Sequence, residues 1–236
     1  MPKKEIEIAE IGPVLLAKRT GMRNIRISVL ANGTIRVNLP RWTSFRTAER
    51  FAVKHSDWIM RQKSKVKTVV IKPGDRIGRL AKVKFEQREA GRTVIKVEAN
   101  QIIVTSVLAW NSRELQKKLQ LAAEASLKMQ AHDILPNRVD RLSKITNLKF
   151  NKLRIRKMTS RWGSCSASGN ISLSLFLVQL PDELMDYVIL HELAHTKHMS
   201  HNPNFWQLME SLEPNTQAFR KQLRRIGPAL RPISNY

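Results

Sequence analysis

The sequence predicts an α+β protein. An N-terminal, mostly antiparallel β-sheet with a helix is followed by a half in which a small sheet accompanies an active-site helix. Three observations carry this. Residues 1–107 hold short alternating apolar and polar runs separated by turn residues, apolar spacing changes to a helical period from Ser112, and the last third pairs two β-type segments with two helical ones.

Residues 23–39 alternate on both sides of Asn32-Gly33, a pair suited to the positive φ angles of a tight turn, and predict a β-hairpin. After Pro40, Ser44 can cap a helix over roughly 45–64, with Phe51, Trp58 and Ile59 at helical spacing. The runs TVVIKPGD, AKVKFEQ, TVIKVEA and QIIVTSV over 67–107 predict short strands. From Ser112, residues Leu115, Leu119, Ala122, Ala123 and Leu127 mark one side of a long helix, which Pro136 should interrupt before it resumes to about Ser143. The segments LKFNKLRIRKM and NISLSLFLVQL read as strands joined by the turn-like SRWGSCSASG. Pro181, with Asp182 and Glu183 in the first turn, opens a helix over about 181–197. A last helix begins near Asn202-Pro203, carries Phe205, Leu208, Met209 and Leu212, and ends before Pro214. No internal repeat is visible. The domain reading is a basic β-rich region over 1–107 and a second region over 112–236, whose first part, 112–143, is a connecting helix.

The 236 residues carry a net charge of +23. Residues 1–100 hold 23 Lys and Arg against 9 Asp and Glu, and residues 101–236 hold 19 against 10, so the excess lies mainly in the N-terminal part. This balance points to DNA, RNA or ribosome contact, against the plain alternative of a solvated basic surface. No apolar run reaches the roughly 18 to 20 residues of a membrane span, so no membrane association is expected. Glu5, Glu7 and Glu10 stand where a signal peptide would be apolar, which predicts a cytoplasmic protein. The single cysteine, Cys165, forms no internal disulfide and excludes a cysteine-based zinc site.

His191-Glu192-Leu193-Ala194-His195 is an H-E-x-x-H motif inside a predicted helix. Residues four apart share a helical face, so the two imidazoles can converge on one zinc ion. Glu192, one step round the helix, is placed as general base beside the metal. A catalytic zinc needs a third protein ligand and an open fourth position. His201 is the candidate, six residues after His195. This spacing equals that of the metzincins, except that His198 stands where they have the glycine of the turn. Histidine tolerates the left-handed conformation better than most residues, so His198 is expected to be a turn residue and not a ligand. A bare H-E-x-x-H arises by chance in long proteins. Here four of the six histidines fall within residues 191–201. His55 and His132 stand alone and read as surface residues.

SRWGSCSASGNISLSLFLVQLP, followed by DYVILHELAHTKHMSHNPNFW, resembles the YgjP-like metallopeptidase domain, a family related to the SprT-like zinc peptidases. The resemblance is close over residues 153–213 and looser from Arg23. It implies a zincin-like second half, zinc at His191, His195 and His201, Glu192 as base, and Phe205 and Trp206 as packing. Some SprT-like relatives cleave proteins attached to DNA, an implication that suits the charge. In the RWGSCS segment Trp162 reads as a core anchor, Gly163 as a backbone-shape residue and Cys165 as a small buried thiol. The Ile171–Leu177 strand could offer an edge to an extended peptide, with Arg161 or Asn170 holding substrate or an oxyanion.

Three functions stay open. One is a zinc metallopeptidase acting on a protein or peptide substrate, including proteins associated with nucleic acid. The second is a metal-dependent nuclease, a class that shares the histidine spacing but carries H-G-x-x-H and so lacks the glutamate. The third is a nucleic-acid-binding module with a non-catalytic zinc site, which His198 would have to close as fourth ligand.

Overall fold

A computed structural model describes residues 2–29, 34–65 and 69–233 of the chain. The chain forms two compact units, Met1–Thr68 and Val69–Tyr236. The break therefore falls earlier than the expected boundary near 107, and the strands of 76–106 belong to the second unit. The reason lies in burial. Ile77, Ala81, Val83, Ile102 and Val104 share one apolar core with Leu115, Leu119 and Leu127 of the long helix.

In the first unit, β1 (Lys3–Ile8), β2 (Gly12–Arg19), β3 (Arg26–Val29) and β4 (Ile35–Pro40) form a sheet of order β1-β2-β4-β3. The β3–β4 pairing is the expected antiparallel hairpin, while Asn32-Gly33 lies outside the described residues. β1 and β2 were not anticipated, because charges in β1 and the unbroken apolar run in β2 hide the alternation. The single expected helix is two. Ser44 Oγ accepts from Thr47 N to start α1 (Phe45–Lys54), His55 ends it, and α2 (Ser56–Lys65) follows. Ile11, Leu16, Val37, Ala52 and Ile59 fill this unit's core.

In the second unit, β5 (Arg76–Ile77), β6 (Ala81–Gln87), β7 (Val94–Val97), β8 (Gln101–Ser106) and the last strand, β12 (Pro232–Ile233), form a sheet of order β12-β5-β6-β8-β7. Of TVVIKPGD, no residue forms a strand among those described. The arrangement β5-β6-β8-β7 repeats that of β1-β2-β4-β3, including the one parallel pair, β2 with β4 and β6 with β8. Each set of four leads into a helix by Trp-x-Ser, Trp42 to Ser44 and Trp110 to Ser112, whose serine hydroxyl caps it. The duplication is one of topology and capping. The side chains differ enough to hide it from the sequence.

α3 (Arg113–Thr146) runs through Pro136 without a break and ends on Asn147 in the left-handed conformation. Pro136 removes one backbone hydrogen bond, but Leu135, Val139 and Leu142 on either side are buried, and their packing keeps the helix continuous. Two buried glutamines tie it to the strands beside it. Gln116 Nε2 donates to Ile71 O at 2.8 Å, and Gln130 Nε2 donates to Ile77 O while its Oε1 accepts from Arg79 N.

A third sheet has the order β10-β11-β9, made of β9 (Lys152–Arg156), β10 (Gly163–Cys165) and β11 (Asn170–Ser174). The expected turn thus contains a strand, β10. The expected strand 171–177 instead stops at Ser174, whose hydroxyl accepts from Phe176 N and starts a 3-10 helix over 175–179. α4 (Asp182–Ala194) is apolar on nearly every side and lies in the core. Its first turn is tied to α3 by Arg138, which pairs with Asp182 at 2.9 Å and with Asp186. α5 (Pro203–Leu212) matches expectation, and α6 (Thr216–Arg225) follows it unanticipated. No helix among the described residues is long and apolar enough to cross a membrane.

Candidate metal centre

α4 carries His191, and His195 caps its C-terminal end one turn further on, with their Nε2 atoms 3.2 Å apart. Beyond Ala194 the chain folds back on itself. Thr196 N donates to Leu193 O, and Lys197 N and His198 N donate to Ala194 O. Among the described non-glycine residues only Asn147 has a positive φ, so this turn needs no left-handed residue, contrary to the expectation for His198. Asn202 then caps α5 by accepting from Phe205 N at 2.9 Å, with Pro203 in the first turn. This leaves His201 just ahead of α5, its Nε2 3.0 Å from that of His191. The three candidate ligand atoms lie within 4.8 Å of one another.

Two of the rings are held from behind, whereas His191 Nδ1 is buried without a hydrogen-bond partner. His195 Nδ1 is 3.0 Å from the His198 carbonyl, which can only accept, so the proton sits on Nδ1 and Nε2 presents a lone pair. His201 stacks on Trp206, whose indole N–H donates to the His201 carbonyl at 3.0 Å. Phe205, fully buried, underlies the cluster with its ring centroid 4.6–5.0 Å from the three imidazoles. Burial, and then the neighbouring His195 and His201, depress the His191 pKa to about 3, so protons compete poorly for its ring.

A tetrahedral ion bonded at the usual zinc–nitrogen length spaces its ligands about 3.3 Å apart. The separations from His191 to its two partners, 3.2 and 3.0 Å, are close to that spacing, and the three atoms together lie within 4.8 Å. Three neutral imidazoles are a donor set suited to zinc. His198 enters through its backbone carbonyl, and its side chain is not part of the cluster.

Glu192 is 5% exposed, and its Oε2 has no hydrogen-bond partner. Burial raises its pKa to about 8, with Arg161 pulling the other way. The carboxylate lies against Gly163 of β10. A Cβ at that position would stand 2.5 Å from Glu192 Oε1, which explains the glycine better than any demand on backbone shape. Gly163→Ala should therefore displace Glu192 and lower turnover at least tenfold while metal content stays full, checked by steady-state kinetics beside metal analysis.

A cleft of about 400 Å³ opens over the cluster, lined by Arg161, Gly163, His191, Glu192, Arg220 and Arg224 among others. Of the two suggested substrate contacts, Arg161 faces it. Asn170 is not among its lining residues. It closes the β10–β11 turn, donating from Nδ2 to Ser168 Oγ at 2.7 Å and from N to Ser166 Oγ at 3.1 Å. The sheet edge also differs from expectation, because β11 lies in the middle and β10 is outermost. Trp162 is the expected anchor, 9% exposed and donating to Ile226 O, while Cys165 is a free, half-buried thiol. Arg220 and Arg224 were missed with α6. Phe219 and Leu223, four apart after Pro214-Asn215, were the available signal.

Three imidazoles from a helix and the turn after it, with a buried carboxylate alongside, form a donor set that could hold a metal ion. The chain belongs to the YgjP-like metallopeptidase domain family, whose model matches residues 23–226. Comparison with curated proteins gives no match. Among solved structures, the metallopeptidase zymogen abylysin of Pyrococcus abyssi is similar at 23% identity, over 39% of this chain and 93% of that one, with a TM-score of 0.36. The metallopeptidase zymogen jannalysin of Methanocaldococcus jannaschii is similar at 22% identity, over 38% and 93%, with a TM-score of 0.34.

Proposed function

We propose that this protein is a zinc metallopeptidase in which His191, His195 and His201 hold the metal and Glu192 is the general base. The observation that carries the reading is an unpaired, buried carboxylate lining the same cleft as the imidazole cluster. When bound, zinc supplies Lewis acidity toward water and toward a substrate carbonyl. The chain's own groups do the rest. Glu192 takes a proton from the attacking water and can return it to the leaving amine. In the metal-free chain burial raises this carboxyl to about 8, and a cation held beside it would favour the carboxylate form that accepts the proton. β10, outermost in its sheet and next to Glu192, offers backbone to an extended peptide. With His198 engaged through its carbonyl, a fourth coordination position is left for solvent.

The test is incubation of the zinc-loaded chain with casein, RNA and single-stranded DNA. Casein should be cleaved, and the metal-free protein should be inactive until zinc is restored. Cleavage of nucleic acid alone would make the protein a nuclease instead.

We also propose that the first unit contacts nucleic acid. Residues 1–68 carry 15 Lys and Arg against 5 Asp and Glu, and among the described residues none of the ion pairs lies in this unit. Arg46, Arg50 and Lys54 recur every four residues along exposed positions of α1, and Trp42, 75% exposed, lies just before it. Such a stripe suits phosphates, and the indole suits a stacked base. Replacing both Arg46 and Arg50 by Ala should flatten the slope of log K against log salt for a single-stranded oligonucleotide by roughly 1.4, two phosphate contacts' worth. A titration at several salt concentrations checks it.

A further inference from the structure

The cleft contains more positive charge than the metal and Glu192 explain. Arg161, Arg220 and Arg224 line it, and among the described residues no carboxylate forms an ion pair with any of the three. Arg220 and Arg224 are four apart on α6, where like charges on one face weaken a helix. The helix dipole favours the basic residues of the last turn, Arg224 and Arg225, but gives no reason for Arg220 in the middle. Arg220 is also held in place, its guanidinium 4.2 Å from the centroid of Trp206, the ring that stacks on His201. A guanidinium placed over an indole face by a cation–π contact still has N–H groups to offer an anion. The acid lining the neighbouring hollow, Glu210, forms no ion pair among the described residues and accepts from Gln217 Nε2 at 3.4 Å.

We infer that the cleft selects acidic peptides: Arg220 and Arg224 hold a carboxylate side chain of the substrate on the α6 side of the scissile bond, with Arg161 adding to the field. This rests on the metallopeptidase reading and names the substrate class of that site. A carboxylate fits better than a nucleic-acid phosphate because the arginines share a cleft of only about 400 Å³ with Glu192, room for a few side chains of one extended strand. The inference also sets the cleft apart from the basic stripe of α1, which suits a polyanion. Segments rich in Lys and Arg are disfavoured here, so a nucleic-acid-bound substrate would be cut in its acidic stretches.

The experiment uses the zinc-loaded full chain and quenched fluorescent peptides that differ at one position, Glu, Gln or Lys, scanned across both sides of the cleaved bond. At one position Glu should exceed Gln by about tenfold in kcat/KM, with Lys lowest, and the ratio should shrink as salt rises. Arg224→Glu should invert the order so that Lys exceeds Glu, an outcome that loss of packing alone does not produce. Arg220→Lys, which keeps the charge and loses the fork, should reduce the ratio only in part. A second arm measures binding of the same peptides to zinc-loaded Glu192→Gln protein by calorimetry. Cleavage without discrimination at any position, or discrimination unchanged in Arg224→Glu, overturns the inference and leaves the peptidase reading standing. No cleavage, with Glu peptides still preferred in binding and the preference inverted by Arg224→Glu, supports the acidic-peptide site while the peptidase reading falls. Neither cleavage nor binding removes both. Arg224-dependent binding of single-stranded DNA without any peptide preference also overturns it.

Discussion

Glu192→Gln in the zinc-loaded protein should lower peptide hydrolysis by about 10²- to 10⁴-fold, the range a positioned general base supplies, and leave the metal content full. The amide has the same shape, so it fits the contact with Gly163, but it cannot accept a proton. Its effect separates chemistry from assembly, read by kinetics alongside metal analysis. Retained turnover with full zinc would remove Glu192 from the mechanism. The same variant has a stability signature in the metal-free protein. The carboxyl is raised from 4.5 to about 8, so the folded state holds a proton that the unfolded state releases. Its contribution is fully present below pH 4.5 and is lost as pH rises through 8, a change of about 5 kcal/mol at most. Glu192→Gln, which does not titrate, should gain thermal stability relative to the parent chain across that window. Melting curves at pH 5 and pH 9 decide this.

His201→Ala should lose both metal and activity, with zinc affinity falling by more than the roughly 10- to 100-fold typical of removing a group that only supports a ligand. His191 and His195 would remain as a two-point site, which holds zinc weakly. Competition with a zinc indicator measures the affinity. Because His201 is exposed, the substitution leaves no cavity in the core, and the variant should fold, as circular dichroism would verify. Full zinc occupancy and activity in this variant would mean that another group completes the site.

Much of this was readable in the sequence because the chemistry is local. His191, Glu192 and His195 are placed relative to one another by helical geometry alone, and Asn202-Pro203 announces the helix that stops the chain where His201 must sit. The topology of the sheets was less legible. β1 and β2 carry charges on one side of the pairing and an unbroken apolar run on the other, so period-two alternation was masked. Pro136 showed the limit of propensity, since burial of Leu135 and Val139 outweighs one lost hydrogen bond. β10 escaped notice because three residues are too few to show a period. The contact of Gly163 with Glu192 joins positions about thirty apart and emerges only on folding. The arginines of α6 were missed because the helix itself was.

The three imidazoles are not equally anchored. Two belong to the most deeply buried helix of their unit, whereas His201 sits on a short exposed turn, fastened by the indole N–H of Trp206 and the start of α5. Exchange of the ion with solvent should therefore proceed through that corner, by transient release of the single outer ligand while the helical pair keeps its grip. Trp206→Phe, which keeps a ring to stack on but removes the tether, should speed zinc release to a strong chelator more than it weakens zinc at equilibrium.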